Sequence, residues 1–369
     1  MISSISKVPE RKLNEFTTLP ESEEQNTIRW TWACRLLDRE LTYEIDGDHL
    51  DTPPVSGDLA LFRVTRVGAH TRVINTVNQK VRIYAGDVCI GVFGNRYATD
   101  ALEAEVQGLR NLSLLTTAGM VGTVKSKHSS ISRTTQVAFL GYLKSSQTQI
   151  NLKRIFSTNS KVKNCQIDEA INLILVVGSG MNSGKTTTCR KLIKSLTQRG
   201  TRVAACKVTG SISPRDTDEM ISAGAIYVTD FSDYGFPSTY KCDREELMFL
   251  FETMLADLSQ YKPDLIIMEI ADGVLQRETN QLLNEPLFKK WAKGVIVTAD
   301  SAPAALYSVE YLQSKGFRTL CLSGSITSSP LYVKEFKDRH DVPVISSKPS
   351  LMDFAPIFEE IVKLDKSIV

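Results

Sequence analysis

Residues 171–190 read Ile171-Asn172-Leu173-Ile174-Leu175-Val176-Val177-Gly178-Ser179-Gly180-Met181-Asn182-Ser183-Gly184-Lys185-Thr186-Thr187-Thr188-Cys189-Arg190. The apolar run Leu173 to Val177 has the length and β-branched content of a buried strand. It breaks into a Gly/Ser loop, and Gly184-Lys185-Thr186 then opens a helix. A strand, a glycine-rich loop and a helix start in that order form the setting of a phosphate-binding loop. Backbone N–H groups of such a loop, with the helix N-terminus, make a concave positive site for phosphate. The pattern therefore points to a nucleoside triphosphate, expected to be ATP, with Gly180, Met181, Asn182, Ser183, Gly184, Lys185, Thr186 and Thr187 around its phosphates. Lys185 reaches the β- and γ-phosphates, and the Thr186 hydroxyl ligates Mg²⁺. The common form has four residues between its glycines. Here Ser179 holds the usual first-glycine position, and five residues separate Gly178 from Gly184.

Outward from the loop, the chain alternates strand and helix. Strands are expected at 171–177, 202–206, 225–229, 264–269, 293–298, 318–322 and 342–345. Helices are expected near 184–199, 215–223, 244–260, 301–314, 329–338 and 351–363. This alternation implies an α/β domain over 166–369, with a mainly parallel sheet and helices on both faces. Residues 41–165 differ in texture. Short runs such as Leu59–Val64, Arg72–Ile74, Val81–Tyr84, Val88–Phe93, Val121–Val124 and Gln136–Leu140 are separated by turns such as Ser56-Gly57-Asp58. They predict a small antiparallel β-barrel or sandwich. Residues 1–40 are expected to be a polar tail followed by a short helix over Ile28–Arg39 that carries Trp30, Trp32, Leu36 and Leu37.

Bulk composition bounds the partners. The chain has 369 residues, 42% hydrophobic and 23% charged, with a net charge of +2. That is enough apolar content for ordinary cores, and it offers no basic field for nucleic acid or an anionic membrane. Seven cysteines with no C-x-x-C pair fit free thiols in a reducing compartment. The four histidines, His49, His70, His128 and His340, lack zinc spacing. With no leader pattern and no membrane-length apolar run, a cytoplasmic protein is expected. The expected partner is a small molecule, and a homodimer is compatible with this composition.

Further motifs fall at expected strand ends. Lys207, in Ala205-Cys206-Lys207-Val208-Thr209-Gly210, sits where a parallel strand meets the ligand crevice. There it neutralises phosphate, or it is a plain surface lysine. Asp216, Asp218 and Glu219 open a helix. They either cap it or supply one carboxylate to Mg²⁺ or substrate. The run Asp264-Leu265-Ile266-Ile267-Met268-Glu269-Ile270-Ala271-Asp272-Gly273 is an apolar strand ending in acid, as a metal-holding carboxylate strand is. Whether Glu269 or Asp272 lies nearer the metal is open. Arg277 is expected on the surface. Asp300, Ser323 and Ser325 lie at later strand ends as ligand contacts or plain loop residues. Gly94-Asn95-Arg96-Tyr97-Ala98-Thr99-Asp100 is a polar cluster that reads as a ligand site or a barrel turn. Lys125, Lys127 and His128 make a small basic spot with the same two readings.

The Gly178–Thr186 loop has the spacing of the dethiobiotin synthetase loop, and Lys207 to Gly210 and Glu269 resemble that family's second-strand lysine motif and later strand-end glutamate. Arg215-Asp216-Thr217-Asp218 leading to Ala223-Gly224-Ala225 resembles the accessory protein of molybdopterin-guanine dinucleotide synthesis. Both families stand among P-loop proteins with nitrogenase iron protein and MinD-type ATPases. The resemblance spans residues 170 to 345 through short motifs. It departs at Gly180, where a MinD-type loop has its second lysine. It departs again after Lys207, where a proline is usual, and in the preceding β domain. It implies an ATP-dependent kinase or acid-activating ligase with Lys185, Lys207 and Glu269 in catalysis and Thr186, Asp216 and Glu269 at Mg²⁺. The alternative is an accessory or regulatory NTPase acting on a protein partner.

Overall fold

The computed structural model describes residues 28–38, 40–46, 52–158, 167 and 171–346. The expected tail over 1–27 and the helix over 351–363 lie outside them.

The second half carries a six-stranded, wholly parallel sheet. Its strands are β1 (Leu173–Gly178), β2 (Val203–Lys207), β3 (Tyr227–Asp230), β4 (Leu265–Ile270), β5 (Ala292–Thr298) and β6 (Thr319–Ser323). Their spatial order is β3-β2-β4-β1-β5-β6. The helices are α1 (Lys185–Thr197), α2 (Arg215–Ser222), α3 (Arg244–Ser259), α4 (Arg277–Asn284), α5 (Pro286–Trp291), α6 (Ala302–Ser314) and α7 (Pro330–Lys337). The expected strand over 342–345 is reduced to a single parallel bridge from Val344 to Leu322. Sequence reading missed α4 and α5.

Strands β1, β2 and β4 are apolar on both faces, as a sheet covered by helices on each side requires. Ile174, Val176, Val203, Ala205, Leu265 and Ile267 pack with Cys189, Leu192, Ile193 and Leu196 of α1 and Met220 of α2. The alternate residues, among them Leu175, Cys206, Met268 and Val297, pack with Leu250, Phe251 and Met254 of α3 and Val309 of α6. Side chains along a strand alternate faces. Lys207 therefore shares the face of Val203 and Ala205, and Glu269 that of Leu265 and Ile267, both toward α1 and α2.

The preceding residues build a second sheet. Five of its strands close into a ring: Val88–Phe93 pairs Leu59–Arg66, which pairs Thr135–Ser145, then Leu112–Leu114, then Met120–Lys127, and back to Val88–Phe93. The last pairing is parallel, so the expected antiparallel barrel closes through one parallel seam. Phe62, Phe93, Val121, Leu114 and Tyr142, one from each strand, share one apolar cluster. The other face of four ring strands, carrying Leu59, Ile90, Met120 and Leu143, is also buried, with Ala33 and Cys34, Leu152 of a helix over Leu152–Thr158, and Ile212 from the α/β half. The expected helix over Ile28–Arg39 is instead a two-residue strand, Arg29–Trp30, paired to Val88–Phe93, and a single 3₁₀ turn, Trp32–Cys34. An available sheet edge outcompetes a short helix with no capping side chain.

Candidate functional site

Strand β1 ends at Gly178, and the chain crosses to α1 through 179–184. A Cβ on Gly178 would stand 2.3 Å from Ser183 Oγ. Gly184 has φ of 99° and lies so close to Gly324 that a Cβ would come within 2.9 Å of its Cα. The left-handed backbone and the close approach both require glycine there. Gly184 caps α1 without any side-chain hydrogen bond, so the first N–H groups of a thirteen-residue helix keep their positive end directed at the loop. Ser183 Oγ meets Thr298 Oγ1 at 2.8 Å, Ser179 N donates to Thr298 O at 2.8 Å, and Ser325 N donates to Ser183 O at 3.0 Å. The ends of β5 and β6 thus brace the loop, a role that its own sequence does not disclose. The loop thus joins a buried strand to an uncapped helix start.

Lys185 is buried. Its ammonium donates to the carbonyls of Gly180 at 2.7 Å, Met181 at 3.4 Å and Asp272. Burial lowers its pKa, with the charges of Glu269 and Asp272 opposing. Gly180 faces open space. Asn182 donates to Asp100 of the β half. Met181 and Thr187 line the loop and first helical turn, half-buried or exposed.

The register of the parallel sheet then assembles the polar centre. Lys207 of β2 pairs with Glu269 of β4, and Val176 of β1 pairs with the same Glu269. Lys207 forms an ion pair with Asp216 at the start of α2. The Thr186 hydroxyl lies 3.1 Å from Asp216 Oδ1 and 3.1 Å from Glu269 Oε1. One hydroxyl proton serves only one of these acceptors at a time. Glu269 Oε2 is buried with no hydrogen-bond partner. Burial raises the pKa of Glu269, and the Lys207 charge only partly offsets it. Burial also pulls Lys207 down and Asp216 up, but their mutual attraction wins in both, leaving Lys207 raised and Asp216 lowered. Asp272 is raised by burial despite Lys185, Lys207 and Arg96.

Five expected residues, Lys185, Thr186, Lys207, Asp216 and Glu269, therefore meet in one crevice. The three acids opening α2 take separate roles. Asp216 faces the centre, Asp218 accepts from Asn78 at 2.8 Å, and Glu219 pairs with Arg190 at 2.8 Å. Arg277 is held by the fully buried Glu278 at 2.5 Å, with its side chain half exposed. Asp300 is exposed and only accepts from Ser301. Lys127 is tied to the Ile131 and Ser132 carbonyls and reads as a turn. Arg96 donates to the Leu115 carbonyl, while its Nε is buried without a partner. Burial lowers its pKa against the Asp272 charge. The Gly94–Asp100 segment thus faces the loop as well as closing a turn.

No family model matches the chain, and no curated protein matches it in sequence. Among solved structures it is similar to the signal recognition particle receptor FtsY from Elizabethkingia anophelis, at 18% identity and TM-score 0.36, over 55% of this chain and 66% of that one. It is also similar to HypB from Helicobacter pylori in complex with nickel, at 14% identity and TM-score 0.37, over 58% of this chain and 95% of that one. A third is the kinase domain of the Escherichia coli tyrosine kinase ETK, at 13% identity and TM-score 0.32, over 47% and 74%.

Proposed function

We propose that this chain binds a Mg²⁺–nucleoside triphosphate and transfers its γ-phosphoryl group to a small-molecule acceptor, as a kinase or an acid-activating ligase of dethiobiotin-synthetase-like type. The observation that carries the reading is the convergence of Thr186, Asp216, Glu269 and Lys207 beside a glycine loop whose helix start is uncapped.

The residues fit Mg²⁺. Among the described residues no three His, Cys, Asp or Glu side chains form a metal cluster. Mg²⁺ at a phosphate site needs no such cage, because it takes one or two carboxylates and fills the rest of its shell with hydroxyl, water and phosphate oxygens. Thr186 would hold it with Glu269 and Asp216, and the orphaned Oε2 of Glu269 would gain a partner. When bound, the ion would supply positive charge that offsets the phosphate charge.

The chain's own groups do the rest. The α1 N-terminus and loop N–H groups hold the phosphates. Lys185 exchanges its carbonyl partners for β- and γ-phosphate oxygens. Lys207, held beside Asp216, would place its ammonium where charge develops on the transferring group. In transfer, an acceptor oxygen forms its bond to the γ-phosphorus as the bond to the β–γ bridging oxygen breaks, and the nucleoside diphosphate leaves. An acceptor carboxylate gives an acyl phosphate, and an acceptor hydroxyl gives a phosphate ester as its proton passes to water.

The test is phosphate transfer or release with Mg²⁺ and either ATP or GTP, with and without pooled metabolites. Acceptor-dependent turnover that falls at least about a hundredfold in Lys185→Ala is expected. Turnover indifferent to every pool but changed by added protein fractions would support a regulatory NTPase instead. Absence of binding by both nucleotides would remove either reading.

A further inference from the structure

Beside the loop, and not over it, lies a cleft of about 740 Å³ between the β half and helices α1 and α2. Its walls come from three places. Asn78 and Lys80 stand on the hairpin that joins Arg72–Ile74 to Lys80–Arg82. Arg190, Lys191 and Lys194 stand on α1. Arg215, Asp218 and Glu219 stand on α2. The volume falls in the range of small-molecule sites, about 300–1,000 Å³.

The charge balance of these walls is lopsided. Of the two acids, Glu219 is neutralised by Arg190 at 2.8 Å, and Asp218, which accepts from the neutral Asn78 Nδ2 at 2.8 Å, sets one negative charge against the remaining four cations. Among the described residues, no carboxylate forms an ion pair with Lys80, Lys191, Lys194 or Arg215. Four free cations from three elements then face one concavity, where apolar walls such as Ile74, Pro214 and Ala223 concentrate the field. Lys191 is half-buried among them, and burial together with the Arg190 charge lowers its pKa. An anion beside it would relieve that cost. A net charge of only +2 over the whole chain makes this positive patch local, which suits a small ligand better than a nucleic acid.

We propose that this cleft is a second ligand site, for a small, multiply charged anion that carries phosphate or carboxylate groups on a partly apolar body. The site is separate from the P-loop. Lys191 and Lys194 lie on the later turns of α1, Lys80 lies on the β hairpin and Arg215 opens α2 next to Asp216, whereas the loop faces the α1 N-terminus. Lys80 and Lys194 are exposed and come from different halves of the chain, so the anion would bridge the halves.

Calorimetric titration of the full-length Lys185→Ala variant without Mg²⁺ tests this, with inorganic pyrophosphate in one arm and citrate in the other. Loss of Lys185 weakens competition from the loop. One site for pyrophosphate, citrate or both is expected, and the stronger arm tells phosphate from carboxylate. Adding Lys80→Glu and Lys194→Glu should weaken binding at least about tenfold. If charge reversal lowers the melting temperature, Lys80→Ala with Lys194→Ala serves instead, with a smaller loss expected. Failure of both anions to bind the Lys185→Ala protein at millimolar concentration overturns the proposal. Equal binding by the folded variants carrying the lysine substitutions also overturns it.

Discussion

Glu269 is the residue on which the centre turns. It is 1% exposed, has one oxygen 3.1 Å from Thr186 Oγ1 and leaves the other without a partner. An ionised carboxylate in that position is costly to desolvate. The sign of its effect on stability follows from its raised pKa. The folded chain keeps the Glu269 proton at pH values where the unfolded chain has lost it. This group's contribution to stability therefore falls as pH rises from its ordinary 4.5 through the higher folded value. Glu269→Gln keeps the shape and removes the charge. Without Mg²⁺ the variant should melt at or above the wild-type temperature at neutral pH, and should lose that part of the pH dependence. It should also bind Mg²⁺–nucleotide about 10–100-fold more weakly. Thermal melts from acid to neutral pH and a nucleotide titration measure both. A variant less stable than wild type yet equal in Mg²⁺-dependent binding would place Glu269 in packing alone.

At the scale of the element, the loop between β1 and α1 depends unequally on its glycines. Gly184 has a left-handed backbone and the Gly324 backbone against it, whereas a Cβ on Gly180 would meet nothing within 4 Å. Gly184→Ala should cost about 1–3 kcal/mol in urea unfolding, and Gly180→Ala should be near neutral for the fold. Equal losses would mean that the loop is held by its contacts with β5 and β6 and not by its backbone conformation. The loop was legible because its signal is local: apolar strand, glycines, then helix start within twenty residues. Lys207 and Glu269 were legible as strand ends, and counting parity along Val203, Ala205 and Leu265, Ile267 would have put both on one face. Among Asp216, Asp218 and Glu219, the local pattern left the acid facing the centre open and only the family resemblance pointed to Asp216, since the choice depends on where Lys207 and Asn78 lie in space. The β5 and β6 braces, Thr298 and Ser325, were hidden for the same reason. Helix α5, six residues long, carries too few turns to show a period.

Across the whole molecule, the barrel and the parallel-sheet half are joined by contacts of very different weight. Lys241 pairs with Glu105 at 2.6 Å, but its side chain is 45% exposed. Tyr240 donates to Glu103 at 2.8 Å and Arg35 meets Asp233 at 2.5 Å. Ile212 is fully buried and belongs to the apolar cluster on the barrel's outer face, although it lies in the chain just beyond β2. Exposed ion pairs are worth about 0–1 kcal/mol and a buried isoleucine truncated to alanine about 2–5 kcal/mol. The apolar contact therefore outweighs the exposed Lys241–Glu105 pair in coupling the halves. The three tryptophans allow this to be read, because Trp30 and Trp32 flank the barrel and Trp291 lies in α5. With Trp291→Phe the fluorescence reports the barrel side, and with Trp30→Phe and Trp32→Phe it reports the parallel sheet. Ile212→Ala should lower the urea midpoint seen by both reporters together, while Lys241→Ala should leave both nearly in place. A barrel transition that Ile212→Ala does not move would show that the halves fold independently, with Ile212 serving only the half in which it lies in sequence.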